Sequence, residues 1–293
     1  MSEQIFTQRQ DNLKNKLAEM GVDGILLTNL TSIRYLCGFN GSAASCLITT
    51  DGSYFISDGR YDVQSKNQVK GLERFIDFGT HLSIIEKNNL IQNGLKLGFE
   101  GDHTSVSQFK AMQDVFSNVN WESTSMLMEN LQAIKDQSEL DAIRTAVEIT
   151  DVIYEEIIPM LKVGTTEKDV AIQLVTRYRQ ESDGEAYSPI VAGGPNSALP
   201  HAVPGDRPFE KGDFIVIDAA AKFSGYHADM TRTPVVGEAT DKHREIYNIV
   251  KDAQQAGCDA VKAGMTCKKV DNVTRDYITE KGYGEYFNHG TGH

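Results

Sequence analysis

Apolar residues in the first part of the chain follow two spacings, one typical of helices and one typical of strands. Residues 4–20 carry them at helical spacing, whereas Ile25–Leu27 is a short apolar run that predicts a buried strand. Further on, Asp51-Gly52 between two apolar runs predicts a β-hairpin, and residues 81–92 predict another helix. Strands and helices that alternate in this way predict a compact α/β domain over residues 1–127.

The pattern changes after residues 123–130, a polar stretch without periodicity that we interpret as a linker between two domains. Apolar residues from 140 to 161 recur at helical spacing, and two more helices are predicted at about 241–264 and 266–282. Strand-like segments lie between these helices. The sequence therefore predicts an α+β domain over residues 128–293, with helices packed on a largely antiparallel sheet.

Two aspartates, Asp218 and Asp229, lie on the two predicted arms of one β-hairpin. The run Phe214–Ile217 is apolar at every position, as in a strand buried on both faces, so Asp218 ends a buried strand. Ser224-Gly225 predicts the turn. With the hairpin centred between Phe223 and Ser224, the two aspartates would be directly opposite each other, with β-carbons about 5 Å apart.

Two carboxylates this close repel each other unless a cation lies between them. A pair of divalent ions about 3.5–4 Å apart, bridged by carboxylates, would remove the repulsion and provide a hydrolytic centre. The alternative is that both aspartates face water and that Asp229 pairs with Arg232 or Lys222. The buried strand before Asp218 favours the metal site and leaves the alternative open.

Charge and composition limit the classes of partner and the cellular location that we expect for the protein. The formal net charge of −12 argues against nucleic acid and anionic membranes as partners. The N-terminus has no apolar signal-peptide segment and no apolar run is long enough to span a bilayer, so we expect a cytoplasmic protein. The spacing of Cys37, Cys46, Cys258 and Cys267 fits neither a zinc knuckle nor a disulfide framework, so we expect reduced and mostly buried thiols.

Four histidines are candidates for a role in chemistry. His201 follows Gly193–Pro200, a run rich in turn-forming residues, which makes it an active-site candidate, with a structural hydrogen bond as an equal alternative. His227 lies two residues before the second aspartate and is either its neighbour on the strand or solvated. His289 and His293 are separated by Gly-Thr-Gly, which argues against a helix, and in an extended chain both could approach one metal ion. This spacing is also common by chance.

Longer motifs run through both predicted domains. They are Tyr35-Leu-Cys-Gly-Phe39, Asp58-Gly-Arg-Tyr61, Ala133–Leu140, Ile190–His201 and Gly225–Thr233, of which the last two are the most specific. Together with the aspartates and histidines they resemble the pita-bread metallopeptidases of the aminopeptidase P and prolidase family. The first two motifs resemble its creatinase/prolidase N-terminal domain and the others its catalytic domain, with Gln132 where these proteins usually have Arg. The resemblance covers nearly the whole chain.

The resemblance implies a role for each candidate residue. Asp218 and Asp229 would be the first two ligands of a dinuclear metal centre, and His293, in a segment similar to the family's His-Gly-x-x-His, would be the third. His201 and His289 would be catalytic residues that either support the metal ligands or contact the substrate, and that position the scissile bond and stabilise the charged intermediate. The two divalent ions are expected to be manganese, with cobalt or zinc as alternatives.

The activity that the resemblance implies is metal-dependent hydrolysis of Xaa-Pro bonds at the N-termini of dipeptides or longer peptides. A homodimer is a further expectation from the family. Family members continue past the last histidine with strands that supply two glutamate ligands, and the printed sequence does not contain these strands. We therefore expect a chain truncated at its C-terminus and inactive, or nearly so, as a polypeptide of 293 residues.

Two alternatives to a metallopeptidase belong to other functional classes. A non-catalytic pita-bread protein would use the fold for binding or scaffolding, but it would have no physical need for three polar metal ligands. A creatinase-like hydrolase would work without metal and would not need two opposed aspartates.

Overall fold

The structure is a computed structural model that describes residues 3–292. The chain divides into two units, Met1–Ser138 and Glu139–His293, whereas the sequence places the boundary between residues 127 and 128. Each unit has its own apolar core. Among the described residues, none of the helices combines the length and the apolar character that crossing a bilayer requires.

The first unit is an α/β unit, as predicted. Its strands are β1 (Gly24–Leu27), β2 (Ser45–Thr49), β3 (Ser53–Asp58), β4 (Glu73–Asp77), β5 (Lys96–Glu100) and β6 (Asn120–Thr124). They form one mixed sheet in the order β4-β3-β2-β1-β5-β6, in which β1 pairs with β2 antiparallel and with β5 parallel. The helices are α1 (Glu3–Glu19), α2 (Leu30–Cys37), α3 (Asp62–Gln68), α4 (His81–Lys87), α5 (Val106–Val115) and α6 (Leu127–Ala133).

Both faces of this sheet are covered, which explains why β1 is apolar at successive positions. Ile25 and Leu27 lie in one core cluster with Leu13 of α1, whereas Leu26 lies in a second cluster with Ile84 of α4. Side chains of a strand alternate between the two faces of a sheet, so a strand covered on both sides needs apolar residues throughout.

Two details of the first unit differ from the sequence prediction. The helix predicted over 81–92 ends at Lys87, because Asn89 adopts the left-handed conformation at φ 50°, which asparagine tolerates better than most residues. The stretch 123–130, predicted as a linker, contains the end of β6 and the beginning of α6. Met128 within it is buried in the core and Leu127 packs against the same core, so two apolar residues tie this stretch to the first unit.

The second unit has the predicted α+β architecture. Its strands are β7 (Gly184–Glu185), β8 (Ile190–Gly193), β9 (Ile215–Asp218), β10 (Ala221–Phe223), β11 (Tyr226–His227) and β12 (Thr231–Arg232). They form two three-stranded antiparallel sheets, β11-β10-β7 and β12-β9-β8. The helices are α7 (Gln137–Ile157), which begins two residues before the unit, α8 (Glu167–Glu181), α9 (Asp241–Ala260) and α10 (Cys267–Glu280).

The core of the second unit lies between its strands and helices α7 and α8. Ile215 and Ile217 of β9 are fully buried there with Ile153 of α7 and Leu174 of α8. Val216 points to the other face and is only half-buried, so the prediction that both faces of this strand are covered is wrong for the described residues. That face lines a cleft of about 860 Å³ together with residues of α9.

The cysteines divide by unit. Cys37 and Cys46 are buried, as predicted, and burial raises the pKa of the Cys46 thiol. Cys258 and Cys267 are exposed, so the expectation of mostly buried thiols holds only for the first pair. The second pair lies on α9 and α10, where it faces solvent.

Candidate metal centre

The two aspartates lie on one long β-hairpin whose turn is Ser224-Gly225, as predicted. Phe223 pairs with Tyr226 across the turn. Ser224 and Gly225 have φ of 50° and 82°, and positive φ at both central residues is the signature of the type I′ turn that matches the twist of two-residue hairpins. Ser224 accepts the left-handed conformation at a small cost and glycine at none.

The register of this hairpin differs from the sequence prediction. Asp218 is opposite Thr231, not opposite Asp229, because the hairpin is centred between Ser224 and Gly225. A centre one residue earlier would force the bulky Phe223 to positive φ, which is unfavourable. Asp229 therefore lies two residues along the strand from the partner of Asp218. A shift of two residues keeps a side chain on the same face, and diagonal neighbours of this kind are roughly 7–8 Å apart.

The hydroxyl of Tyr187 brings the two carboxylates to one point. It donates a hydrogen bond to Oδ1 of Asp218 at 2.5 Å and lies 3.2 Å from Oδ1 of Asp229. Burial, with a further contribution from the hydrogen bond to Asp218, raises the pKa of the Tyr187 phenol, so the hydroxyl keeps its proton near neutral pH. Asp218 is half-buried and Asp229 is exposed, so the pair opens toward solvent on one side.

A second tyrosine fixes the backbone beside both aspartates. The hydroxyl of Tyr154, on α7, contacts the carbonyl oxygen of Ile217 at 3.0 Å and that of Met230 at 2.8 Å. These carbonyls belong to the residues that directly precede Asp218 and follow Asp229. Since the Tyr154 side chain is buried, it holds the two arms of the hairpin at a defined separation.

Replacing Tyr187 with phenylalanine tests whether this hydroxyl orients the carboxylates. We expect Tyr187→Phe to weaken Mn²⁺ binding by about 10–100-fold, which is typical when a group that supports a metal ligand is removed. Isothermal titration calorimetry with Mn²⁺ measures the change. Tyr286→Phe, at a tyrosine that is 72% exposed, is the matched control and should bind Mn²⁺ like the wild type. Equal affinity in Tyr187→Phe and the control would contradict the role assigned to Tyr187.

The structure does not bring the predicted histidines to the aspartates. His201 is exposed on the loop after β8, and His289 is exposed with its ring against Phe287. His227 is exposed on β11, where partial burial and the neighbouring Lys222 lower its pKa. His293 lies outside the described residues. Within residues 3–292, no three side chains of the metal-binding types come together.

The segment that carries His289 is held by an ion pair on α10. Arg275 donates hydrogen bonds to the carbonyl oxygens of Phe287 and His289, at 2.6 and 2.7 Å. Asp271 pairs with Arg275 at 3.0 Å and accepts a hydrogen bond from the backbone N–H of Thr291 at 2.8 Å. These contacts fix the backbone of residues 287–291 against the helix.

This ion pair predicts a pH dependence of stability. The hydrogen bond from Arg275, with the backbone N–H of Thr291, lowers the pKa of Asp271 from 3.8 to about 2. A lowered pKa means that the stabilisation is fully present above pH 3.8 and is lost as the pH falls through about 2. Urea unfolding of the wild type and of Asp271→Asn should therefore differ at pH 5 and converge toward pH 2. A difference that does not change with pH would contradict this role of Asp271.

The sequence predicts the two aspartates of the site but not the two tyrosines that orient them. Tyr187 lies three residues before Ile190, and Ile190 is the residue of β8 that pairs with Asp218. No motif or spacing in the sequence indicates that Tyr187 contacts the aspartates. Tyr154 had no signal, because a buried aromatic residue on a helix predicts core packing and not a hydrogen bond to two strands.

Residues 141–293 match metallopeptidase family M24, and residues 9–134 match the creatinase/prolidase N-terminal domain. The chain belongs to metallopeptidase family M24. It is therefore a peptidase of the pita-bread fold with a creatinase-type N-terminal domain, as the motifs predicted.

Individual relatives of the M24 peptidase agree with this assignment. An uncharacterized peptidase of Bacillus subtilis, YqhT, is 39% identical over 97% of this chain and 80% of its own length. The structure of an Xaa-Pro dipeptidase from Bacillus anthracis is similar with a TM-score of 0.92 at 40% identity, covering 98% of this chain and 81% of that one. The structure of an X-Pro aminopeptidase from Thermotoga maritima has a TM-score of 0.88 at 34% identity, covering 97% and 81%.

The carboxylate pair fits a divalent cation in this M24 peptidase. Two carboxylates that contact the same hydroxyl place oxygen ligands and negative charge close together. Hard cations such as Mn²⁺ prefer such ligands. Tyr178 adds to the polar surroundings, because its buried hydroxyl has no hydrogen-bond partner among the described residues and the nearby Asp218 adds to the effect of burial in raising its pKa.

Proposed function

We propose that the protein hydrolyses Xaa-Pro peptide bonds at peptide N-termini with the help of divalent metal ions. The observation that carries the proposal is the approach of Asp218 and Asp229 to the single hydroxyl of Tyr187, in a chain of metallopeptidase family M24. Similarity to an Xaa-Pro dipeptidase and to an X-Pro aminopeptidase supports the proline specificity. Because these two relatives differ in the class of peptide they are named for, both dipeptides and longer peptides are candidate substrates.

Each candidate residue has a role in this proposal. Asp218, Asp229 and His293 bind the metal ions, which are two manganese ions. When bound, a divalent cation acts as a Lewis acid toward the peptide carbonyl and makes water more acidic. Tyr187 keeps its proton and holds the Asp218 carboxylate in one orientation. His201 and His289 contact the substrate, where an imidazole N–H can donate a hydrogen bond to the carbonyl oxygen as it becomes negative.

Proline explains why a dedicated site is needed. A peptide bond to proline has no N–H group, so a site that recognises this group in other peptides has nothing to bind. Specificity must then come from the shape of the ring and from the carbonyl.

We also propose that the protein is a homodimer in the cytoplasm, with domains at residues 1–127 and 128–293.

Equilibrium binding of a dipeptide tests this function without requiring turnover. In the presence of Mn²⁺, we expect Ala-Pro to bind the wild type about tenfold more tightly than Ala-Ala, a difference typical of shape selection in a pocket. Calorimetric titration measures both affinities. Asp229→Asn should lose the metal-dependent part of Ala-Pro binding. Equal binding of the two dipeptides, or binding that does not depend on Mn²⁺, would argue against an Xaa-Pro peptidase.

A further inference from the structure

A buried carboxylate beside the candidate site has no part in the proposed chemistry. Glu167 is the first residue of α8 and is only 1% exposed. A buried charge is unfavourable unless hydrogen bonds or opposite charges compensate for it, so its partners indicate what it does.

All three side-chain partners of Glu167 are hydrogen-bond donors from one region of the chain. Oε1 accepts from the backbone N–H of Gly193 and from Nδ2 of Asn196, both at 2.9 Å. Oε2 accepts from the backbone N–H of Gly205 at 3.0 Å. The backbone of the helix start adds one more contact, since the N–H of Lys168 donates to the carbonyl oxygen of Gly205 at 3.0 Å.

The two backbone donors flank residues 194–204, which we call the β8 loop, and Asn196 lies within it. Gly193 ends β8 and Gly205 follows the loop, so one carboxylate bridges the residues on either side of it. The β8 loop contains His201, and Ser197 within it lines the same cleft as Asp229. The carboxylate therefore holds a loop that borders the cleft beside Asp229.

We propose that Glu167 is a positioning residue that clamps both ends of the β8 loop and so determines where His201 is presented. The clamp itself follows from the contacts of Glu167, whereas the importance of His201 for the substrate rests on the proposed function. In this arrangement, a charged hydrogen-bond acceptor on the rigid helix α8 orders a loop that is rich in turn-forming residues.

The clamp requires a carboxylate and not an amide. A glutamine in the same position has one acceptor oxygen and one NH₂ group. In either orientation of its amide, the NH₂ group points at a donor that contacts a carboxylate oxygen in the wild type. Glu167→Gln therefore removes at least one bond and places two donors against each other, with almost no change in volume. The variant separates the charge and the acceptors from simple packing.

Hydrogen exchange of the backbone amides tests the clamp directly. In Glu167→Gln, we expect the amides of Gly193 and Gly205 to exchange about ten- to a hundredfold faster, the size expected when a hydrogen bond to a charged group is lost. Amides of α9 and α10 should be unchanged. Glu156→Gln is the matched control, because Glu156 is an exposed glutamate whose partner Arg177 lies away from the β8 loop, and it should leave all these rates unchanged.

A spectroscopic signal reports on the histidine itself. The ring Cε1–H resonance of His201, assigned by its disappearance in His201→Gln, should shift or broaden in Glu167→Gln and stay in place in Glu156→Gln. A general loss of stability would instead raise exchange equally throughout the second unit and move other histidine resonances too. That result, or an unchanged β8 loop and His201 signal in Glu167→Gln, would overturn the proposal.

Ala-Pro added to the wild type with Mn²⁺ separates this proposal from the proposed function. A His201 resonance that moves with Ala-Pro supports contact with the substrate, whereas one that stays in place counts against the proposed function only. The effects of Glu167→Gln on exchange and on the His201 signal are measured without peptide, so they decide on the clamp independently.

Discussion

Replacing Asp218 with asparagine is expected to weaken Mn²⁺ binding by roughly 100-fold or more, a larger effect than the loss of a group that only supports a ligand. Asparagine keeps the shape of the side chain but removes its negative charge and one of its two acceptor oxygens. Asp229→Asn should have a similar effect, because both carboxylates reach the same point beside Tyr187. Calorimetry or the electron paramagnetic resonance signal of free Mn²⁺ measures the affinity.

The control for this prediction is an aspartate on the same unit that does not face the site. Asp206 is 89% exposed on its side chain, so Asp206→Asn should bind Mn²⁺ like the wild type. If the two site variants and this control bind Mn²⁺ equally well, then the aspartates are solvated carboxylates, the alternative that the sequence left open.

Truncating Phe209 to alanine is expected to reduce the free energy of unfolding by about 3–5 kcal/mol, the range seen when a buried phenylalanine is removed. Phe209 is 1% exposed and packs in the core of the second unit with Val170 and Leu174 of α8. Its ring also lies against Gly193, where an added Cβ would come within 2.7 Å of the ring. The cavity would therefore open between α8 and the end of β8.

Chemical denaturation of Phe209→Ala and the wild type measures this loss. Val203→Ala is the comparison, because Val203 is 86% exposed and its truncation should change the stability by less than about 0.5 kcal/mol. Phe209→Leu should recover part of the lost stability by filling some of the cavity. A loss below about 1 kcal/mol for Phe209→Ala would show that the core collapses around the vacant space.

The sequence was sufficient for features that depend on local pattern. The alternation of apolar runs predicted the α/β unit, and Ser224-Gly225 predicted the turn of the aspartate hairpin. The register of that hairpin was predicted wrongly, because the type I′ turn is decided by which two residues can take positive φ. Both aspartates still share one face, since the error of two residues preserves the alternation of side chains.

The sequence was insufficient for features that depend on contacts between distant residues. Glu167 looked like an ordinary acidic residue in the first turn of a helix, between Thr166 and Asp169, which form a capping box there. Its burial under the β8 loop follows only from packing. In the same way, the apolar pattern of β9 could not show that one of its faces is only half-buried. Such a pattern indicates that the residues can be buried, but not which elements of the fold cover them.

Anomalous scattering from crystals of the protein soaked in Mn²⁺ shows whether Asp218 and Asp229 bind metal, because it locates the ion without reference to activity. We expect an anomalous peak within about 2.0–2.5 Å of carboxylate oxygens of both aspartates, a distance typical of divalent cations bound by oxygen. A peak elsewhere in the chain, or none near these two side chains at saturating Mn²⁺, would contradict it.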